Sequence, residues 1–180
     1  MALNFLKFAP LVMFLFALNS KAQKFSEDEL QTVSSVDLER YLGKWYEIAS
    51  FPQRFQKGCT GTTAEYSKRD DGDIRVINTC FKPNLDGDKK QIEGKAWVAD
   101  KKTNSKLKVQ FFWPFSGHYW IIELDETQYS YAVVGAPNRK YLWILSRSPQ
   151  IEESLYQSLL QKAQTKGFDI SKLNRTVQKN

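Results

Sequence analysis

The chain has 180 residues, the size of one domain, and carries 26 Lys and Arg against 20 Asp and Glu, for a formal charge of +6. Apolar residues make up 42% and charged residues 26%, with a mean hydropathy of −0.50, a balance that excludes a disordered tail and a multi-span membrane protein. Two Cys are too few for a disulfide-rich scaffold or a four-thiolate zinc site, a single His (His118) leaves little material for acid–base catalysis, and five Trp, eight Tyr and twelve Phe point to broad apolar surfaces.

Residues 1–22 contain Lys7, an apolar run from Phe8 to Leu18 and the exit Ser20-Lys21-Ala22, the pattern of a secretory signal. The run is shorter than the ~20 apolar residues needed to span a bilayer. Cleavage is expected after Ala22; removing 22 of 180 residues leaves 158, and the loss of Lys7 and Lys21 with no acid brings the charge to +4. No Cys follows the run at the place of a bacterial lipoprotein's lipidated residue. A soluble exported protein, periplasmic or secreted, is the expectation, with outer-membrane association as the alternative. Residues 23–35 read as an N-terminal extension and 36–180 as the folded domain. In an oxidising compartment Cys59 and Cys80 are expected to pair, closing about 20 residues for roughly 3 kcal/mol.

From Gly43 onward, alternating and aromatic runs recur with turn residues between them, giving predicted strands at 44–51, 60–68, 74–81, 91–99, 106–113, 119–124, 129–135 and 141–146. Asp70-Asp71-Gly72-Asp73, the segment 83–88 and Ala136-Pro137-Asn138-Arg139 supply hairpin chemistry, so successive strands should be antiparallel neighbours. After Ser148-Pro149 the period lengthens to about 3.6 residues. Ile151, Leu155, Leu159 and Ala163 form one stripe and Gly167 a stop, which predicts a helix over 150–166. One helix cannot cover both faces of eight strands. The predicted fold is therefore all-β: an eight-stranded antiparallel up-and-down β-barrel with the helix packed outside and an interior able to hold one small ligand.

Parity sorts the side chains. With Glu123 in water, strict alternation points Trp120, Ile122 and Leu124 inward and Tyr119 and Ile121 outward. With Glu93 and Lys95 outside, Ile92, Gly94, Ala96 and Val98 face in, followed on the next strand by Leu107, Val109, Phe111 and Trp113. Near the end of the sheet, Leu142 and Ile144 suit the helix, leaving Tyr141, Trp143 and Leu145 for the interior. The small Gly94 and Ala96 lie opposite bulky rings, which favours a cavity over a filled core.

Gly43-Lys44-Trp45 opening the first strand, Tyr129-Ser130-Tyr131 opening the seventh and Arg147 closing the eighth resemble the three short motifs of the lipocalin family. The wider strings from Tyr41 to Ile48 and from Tyr141 to Arg147 are similar to its bacterial and apolipoprotein D-like group, and the likeness runs over 36–176. The resemblance implies that Trp45 lies on the closed floor with the Arg147 guanidinium across its ring, a structural cation–π pair. It also implies a homodimer, fatty acids or lysophospholipids as ligands without a cofactor, and Tyr66, Asn78, Phe111, Tyr131 and Trp143 as liners. Together with Ala96, Trp120, Ile122 and Leu145 from parity, these form the expected ligand-binding set.

With Trp45 and Arg147 at the floor, the loops at 51–58, 81–90, 113–118 and 135–140 surround the open end. They hold seven cations (Arg54, Lys57, Lys82, Lys89, Lys90, Arg139 and Lys140) against Asp86 and Asp88, which suits a ligand with an apolar tail and an anionic head. Arg54, Lys57, Lys82 and Arg139 are the candidate mouth residues. Phe51, Phe55, Trp113 and Phe115 give the same loops the character of a lipid gate, a membrane-touching rim or a dimer contact. A non-enzymatic carrier of lipids, serving envelope maintenance, is the leading functional reading. A pigment or tetrapyrrole carrier, with His118 as its imidazole, is the alternative; an enzyme on a small hydrophobic substrate is a weaker one, since the chain has no nucleophile elbow, zinc-protease or phosphate-loop motif. The cations follow no basic helix or aromatic binding sheet, which argues against nucleic acid.

Overall fold

In the computed structural model, which describes residues 29–179, the alternating segment forms β1 (Gly43–Ser50), β2 (Thr60–Lys68), β3 (Ile74–Lys82), β4 (Asp88–Val98), β5 (Lys106–Phe112), β6 (Phe115–Leu124), β7 (Tyr131–Gly135) and β8 (Leu142–Ser146). Each strand pairs antiparallel with the next, and β1 pairs with both β2 and β8, so the sheet closes on itself. Closure satisfies the backbone groups that an open sheet would leave at its edges. The predicted signal segment and the start of the extension lie outside the described residues. The rest of the extension packs on the barrel: Leu30 is buried, and Val33 N–H donates to the Ile121 carbonyl at 3.1 Å.

A short helix, α1 (Leu38–Tyr41), caps the floor, with Asp37 accepting from the Glu39 and Arg40 amides. Gly43 then turns the chain into β1 at φ +91, a conformation that side chains with a Cβ resist, with the Arg147 guanidinium 3.4 Å from where a Cβ would stand. Helix α2 (Glu153–Thr165) buries Tyr156, Leu159 and Ala163 and stops at Gly167, φ +85. It begins three residues later than the apolar period predicts. Strand β7 also begins late, because Tyr129 takes φ +56 while the Asp125 carboxylate accepts from the Thr127, Gln128 and Ser130 amides.

The β1–β2 ladder runs only from Gly43↔Tyr66 to Tyr46↔Thr63. Above it, a ninth strand, β9 (Asn174–Arg175), pairs with Ala49 and Ser50, and Gly61 N–H donates to the Val177 carbonyl at 2.7 Å. The C-terminal segment thus fills the seam that β2 leaves. Cys59 and Cys80 form a disulfide across the top of β2 and β3, Cα atoms 5.4 Å apart.

Two apolar clusters divide the side chains. The inner one fills the floor and lower lumen with Trp45, Tyr66, Val76, Ala96, Leu107, Ile121 and Val134. The outer one lies between the sheet and α2, with Ile48, Ile122, Val133, Leu142, Ile144, Leu159 and Phe168. Strict alternation fails on β6. The register shifts between Ile121 and Glu123, so Ile122 and Glu123 both face outward, and Ile121 and Tyr119 turn in while Trp120 and Ile122 join the outer layer. Leu124 remains inside. A one-residue irregularity reverses the face of everything on one side of it.

Candidate ligand-binding cavity

The floor is built from a cation and a ring. Arg147 Cζ lies 3.9 Å above the Trp45 ring centroid, and its guanidinium donates to the carbonyls of Lys44 (2.8 Å), Arg40 (2.7 Å), Leu42 (2.9 Å), Tyr41 (3.2 Å) and Tyr129 (3.4 Å). A planar fork can serve several carbonyls and a ring face together. Trp45 is fully buried and its Nε1–H donates to the Tyr41 carbonyl at 2.8 Å.

Above this floor three phenols fill the lower lumen. The Tyr119 hydroxyl lies 2.8 Å from both the Tyr41 and the Tyr66 hydroxyls. Burial pushes the Tyr66 phenol up to about 12, against which the Tyr119 hydrogen bond works, and raises those of Tyr41 and Tyr119 well above the usual range. All three remain neutral donors and acceptors at physiological pH. The space left beside them is about 70 Å³.

The upper half is different. A chamber of about 380 Å³ lies under the mouth, lined by Phe55, Phe111, Phe112, Ile92, the Cys59–Cys80 bridge and the polar Thr62 and Asn78, with Lys82 and Lys90 on its rim. It shares Phe55, Gln56, Thr62, Asn78 and Phe111 with the lower space, so the two are storeys of one calyx. Its volume falls within the ~300–1,000 Å³ of small-molecule sites. Lys90 reaches Asp88 at 3.3 Å, an exposed pair of the kind that contributes little and leaves the ammonium available.

Of the expected liners, Tyr66, Asn78, Phe111, Trp143 and Leu145 face the calyx, and Ala96 is buried in the inner cluster. Trp120, Ile122 and Tyr131 lie instead on the outer face, toward α2. On β7 the interior receives the small Ala132 and Val134, which makes room for the rings of β2, β5 and β6. Trp113, expected inward, sits in the β5–β6 turn and is 86% exposed. The mouth cations also divide. Lys82 borders the upper chamber, whereas Arg54 and Lys57 border a separate groove of about 530 Å³ between the β1–β2 loop and the C-terminal segment. Arg139 is turned away, donating to the Lys166 carbonyl (3.3 Å) at the end of α2 and to the Pro137 carbonyl (2.5 Å).

Several residues of the calyx escape sequence reasoning, Tyr119 and Glu47 among them. Tyr119 is hidden by the β6 irregularity. Glu47, buried on β1, accepts from Ser50 Oγ (3.0 Å), Gln56 Nε2 (3.0 Å) and Thr176 Oγ1 (2.6 Å), so neutral donors from three separate segments satisfy its carboxylate. The one available signal was parity, since Glu47 follows Trp45 by two on the same face. Among the described residues no group of His, Cys, Asp and Glu is arranged to hold a metal ion.

Comparison with known proteins agrees with this geometry. The family profile described as a lipocalin-like domain matches residues 36–178. Outer membrane lipoprotein Blc of Escherichia coli K12 is 49% identical over 140 residues, covering 78% of each chain. Temperature-induced lipocalin-1 of Arabidopsis thaliana is 45% identical over 159 residues, covering 83% of each. Among solved structures, insecticyanin from the tobacco hornworm Manduca sexta superposes with a TM-score of 0.66 at 25% identity, covering 84% of this chain and 86% of that one.

Proposed function

Because the chain belongs to the lipocalin-like family, whose barrels enclose small hydrophobic ligands, we propose that it is an exported, non-enzymatic carrier of single-chain anionic amphiphiles, fatty acids or lysophospholipids, for the cell envelope. The observation that carries this reading is the apolar upper chamber of about 380 Å³ with Lys82 and Lys90 at its rim. An acyl tail enters toward Phe111 and Trp143, and the head group stays at the ammonium groups. No step of this function asks for a catalytic base.

Magnitudes show why both parts matter. Burying about 14 methylenes gains roughly 11 kcal/mol. Association costs at least ~4 kcal/mol, which leaves the tail alone with a Kd near ten micromolar. Tighter binding therefore depends on the cations, and chain-length selectivity should be loose. Titration of the delipidated protein with oleate, followed by tryptophan fluorescence, is expected to saturate at one equivalent. The double reversal Lys82→Glu with Lys90→Glu is expected to weaken oleate at least about tenfold and to leave a neutral long-chain alcohol nearly unaffected. A protein that refuses both ligands contradicts the carrier reading, and one whose visible absorption reveals a bound chromophore favours a pigment carrier.

A further inference from the structure

We propose that the open end of the barrel docks on an anionic lipid bilayer through a crown of exposed rings, so that ligand moves between bilayer and chamber without crossing water. The purpose of docking rests on the carrier reading; the docking itself is measurable without any ligand.

The crown is formed by side chains that the fold leaves with nothing to cover them. Residues 112–118, the tips of β5 and β6 with their turn, are all exposed, and within them Phe112, Trp113 and Phe115 are 66%, 86% and 77% exposed. Phe55, on the short helical turn Arg54–Gln56 of the β1–β2 loop, is 65% exposed. Phe55 and Phe112 also line the upper chamber, so the apolar rim continues into the apolar interior. Water-facing rings of this number, gathered on loops at one end, mark a contact surface. Indole and phenyl rings beside basic residues suit the headgroup layer of a membrane, where the ring meets acyl carbon and the ammonium meets phosphate.

Charge decides between occupants. Arg54 and Lys57 on the β1–β2 loop and Lys82, Lys89 and Lys90 at the tips of β3 and β4 stand at that end against Asp86 and Asp88. A second copy meeting the same face across a two-fold axis would set this excess positive charge against itself. An anionic bilayer attracts it, more strongly at low salt.

The test uses the whole protein with vesicles of phosphatidylcholine alone and of phosphatidylcholine mixed with phosphatidylserine. Cosedimentation is expected with the mixed vesicles and not with the neutral ones, and is expected to fall as salt rises. Acyl-brominated lipid should quench tryptophan emission in the mixed vesicles, and Trp113→Ser should remove most of that quenching. The pair Trp113→Ser with Phe115→Ser is expected to lower vesicle partition at least about tenfold, with oleate affinity within twofold of the parent, since neither residue lines the chamber. Equal binding to both vesicle types, or partition indifferent to the two substitutions, overturns the proposal. So does a concentration-dependent dimer that these substitutions dissolve while vesicles stay unbound. Oleate binding without vesicle binding sinks docking and spares the carrier; vesicle binding without oleate binding does the reverse.

Discussion

Replacing Gly94 by Ala probes the wall of the calyx at its tightest point. Gly94 faces inward from β4, and a Cβ there would stand 2.5 Å from the Gln110 carbonyl oxygen and 2.6 and 2.9 Å from two atoms of the Phe111 ring. The oxygen belongs to the β4–β5 ladder, where Lys95 pairs with Gln110, so it cannot retreat without opening the sheet. The ring can yield, but it lines both storeys of the calyx. Overpacking of this kind costs about 1–3 kcal/mol, and the ~0.4–1 kcal/mol that an alanine gains by stiffening the unfolded chain offsets part of it. At ~2–4 °C per kcal/mol for a domain of this size, Tm should fall by several degrees in calorimetry. If the displaced ring takes the place of two methylenes of tail, oleate binding weakens by about 1.6 kcal/mol, roughly fifteenfold. A variant with parental Tm and parental oleate affinity would refute the placement of Gly94 beneath Phe111.

Arg147→Lys keeps the charge but loses the fork and the ring stacking, so at most three of five carbonyl partners can be served; a loss of about 2–4 kcal/mol in urea denaturation is expected, with oleate stoichiometry unchanged. Cys59→Ser with Cys80→Ser removes a cross-link between residues 21 apart in sequence and should cost roughly 3 kcal/mol, read as a Tm about 6–12 °C lower. The buried phenols give an alkaline signature: their pKa values are raised on folding, so their contribution is full below the ordinary phenol value of ~10 and is lost as pH climbs from there toward the folded value of about 12 for Tyr66. Stability measured against pH should fall across that window, less steeply in Tyr66→Phe, and tyrosinate absorbance of the folded protein should show three of the eight tyrosines resisting ionisation.

The architecture was legible because it depends on period and punctuation. Eight alternating runs, short turns and a late helical stripe leave closure as the economical arrangement, and the pairing of β1 with both β2 and β8 bears that out. The Gly-x-Trp opening and the Arg147 close meet at the floor because antiparallel alternation brings those two ends together. Inward faces were legible where charges on β4 and β5, or the helix-facing pair Leu142 and Ile144 on β8, anchored the parity. On β4, β5 and β8 this held for Ala96, Phe111, Trp143 and Leu145. On β6 the run Tyr119-Trp120-Ile121-Ile122 is apolar on both faces, so one register shift at Glu123 sufficed to exchange them. Tyr131 was misplaced by likeness rather than by pattern, and nothing in β7 itself marks it as an inward residue. The division of the calyx into a tyrosine-filled base and an open upper chamber depends on side-chain contacts between strands distant in sequence, as does the capture of Arg139 by the end of α2; neither leaves a trace in local periodicity.

The proposed carrier function requires one orientation, an acyl tail running down the calyx toward Phe111 and Trp143 from its head at the rim lysines. Isotope-filtered NMR of the protein bound to uniformly carbon-13-labelled oleate measures it directly. Contacts from the terminal methyl to the rings of Phe111 and Trp143, together with carboxylate-end methylenes near Lys82 and Lys90, are the predicted result. Oleate contacts confined to the outer surface, or to the groove beside the C-terminal segment, would contradict it.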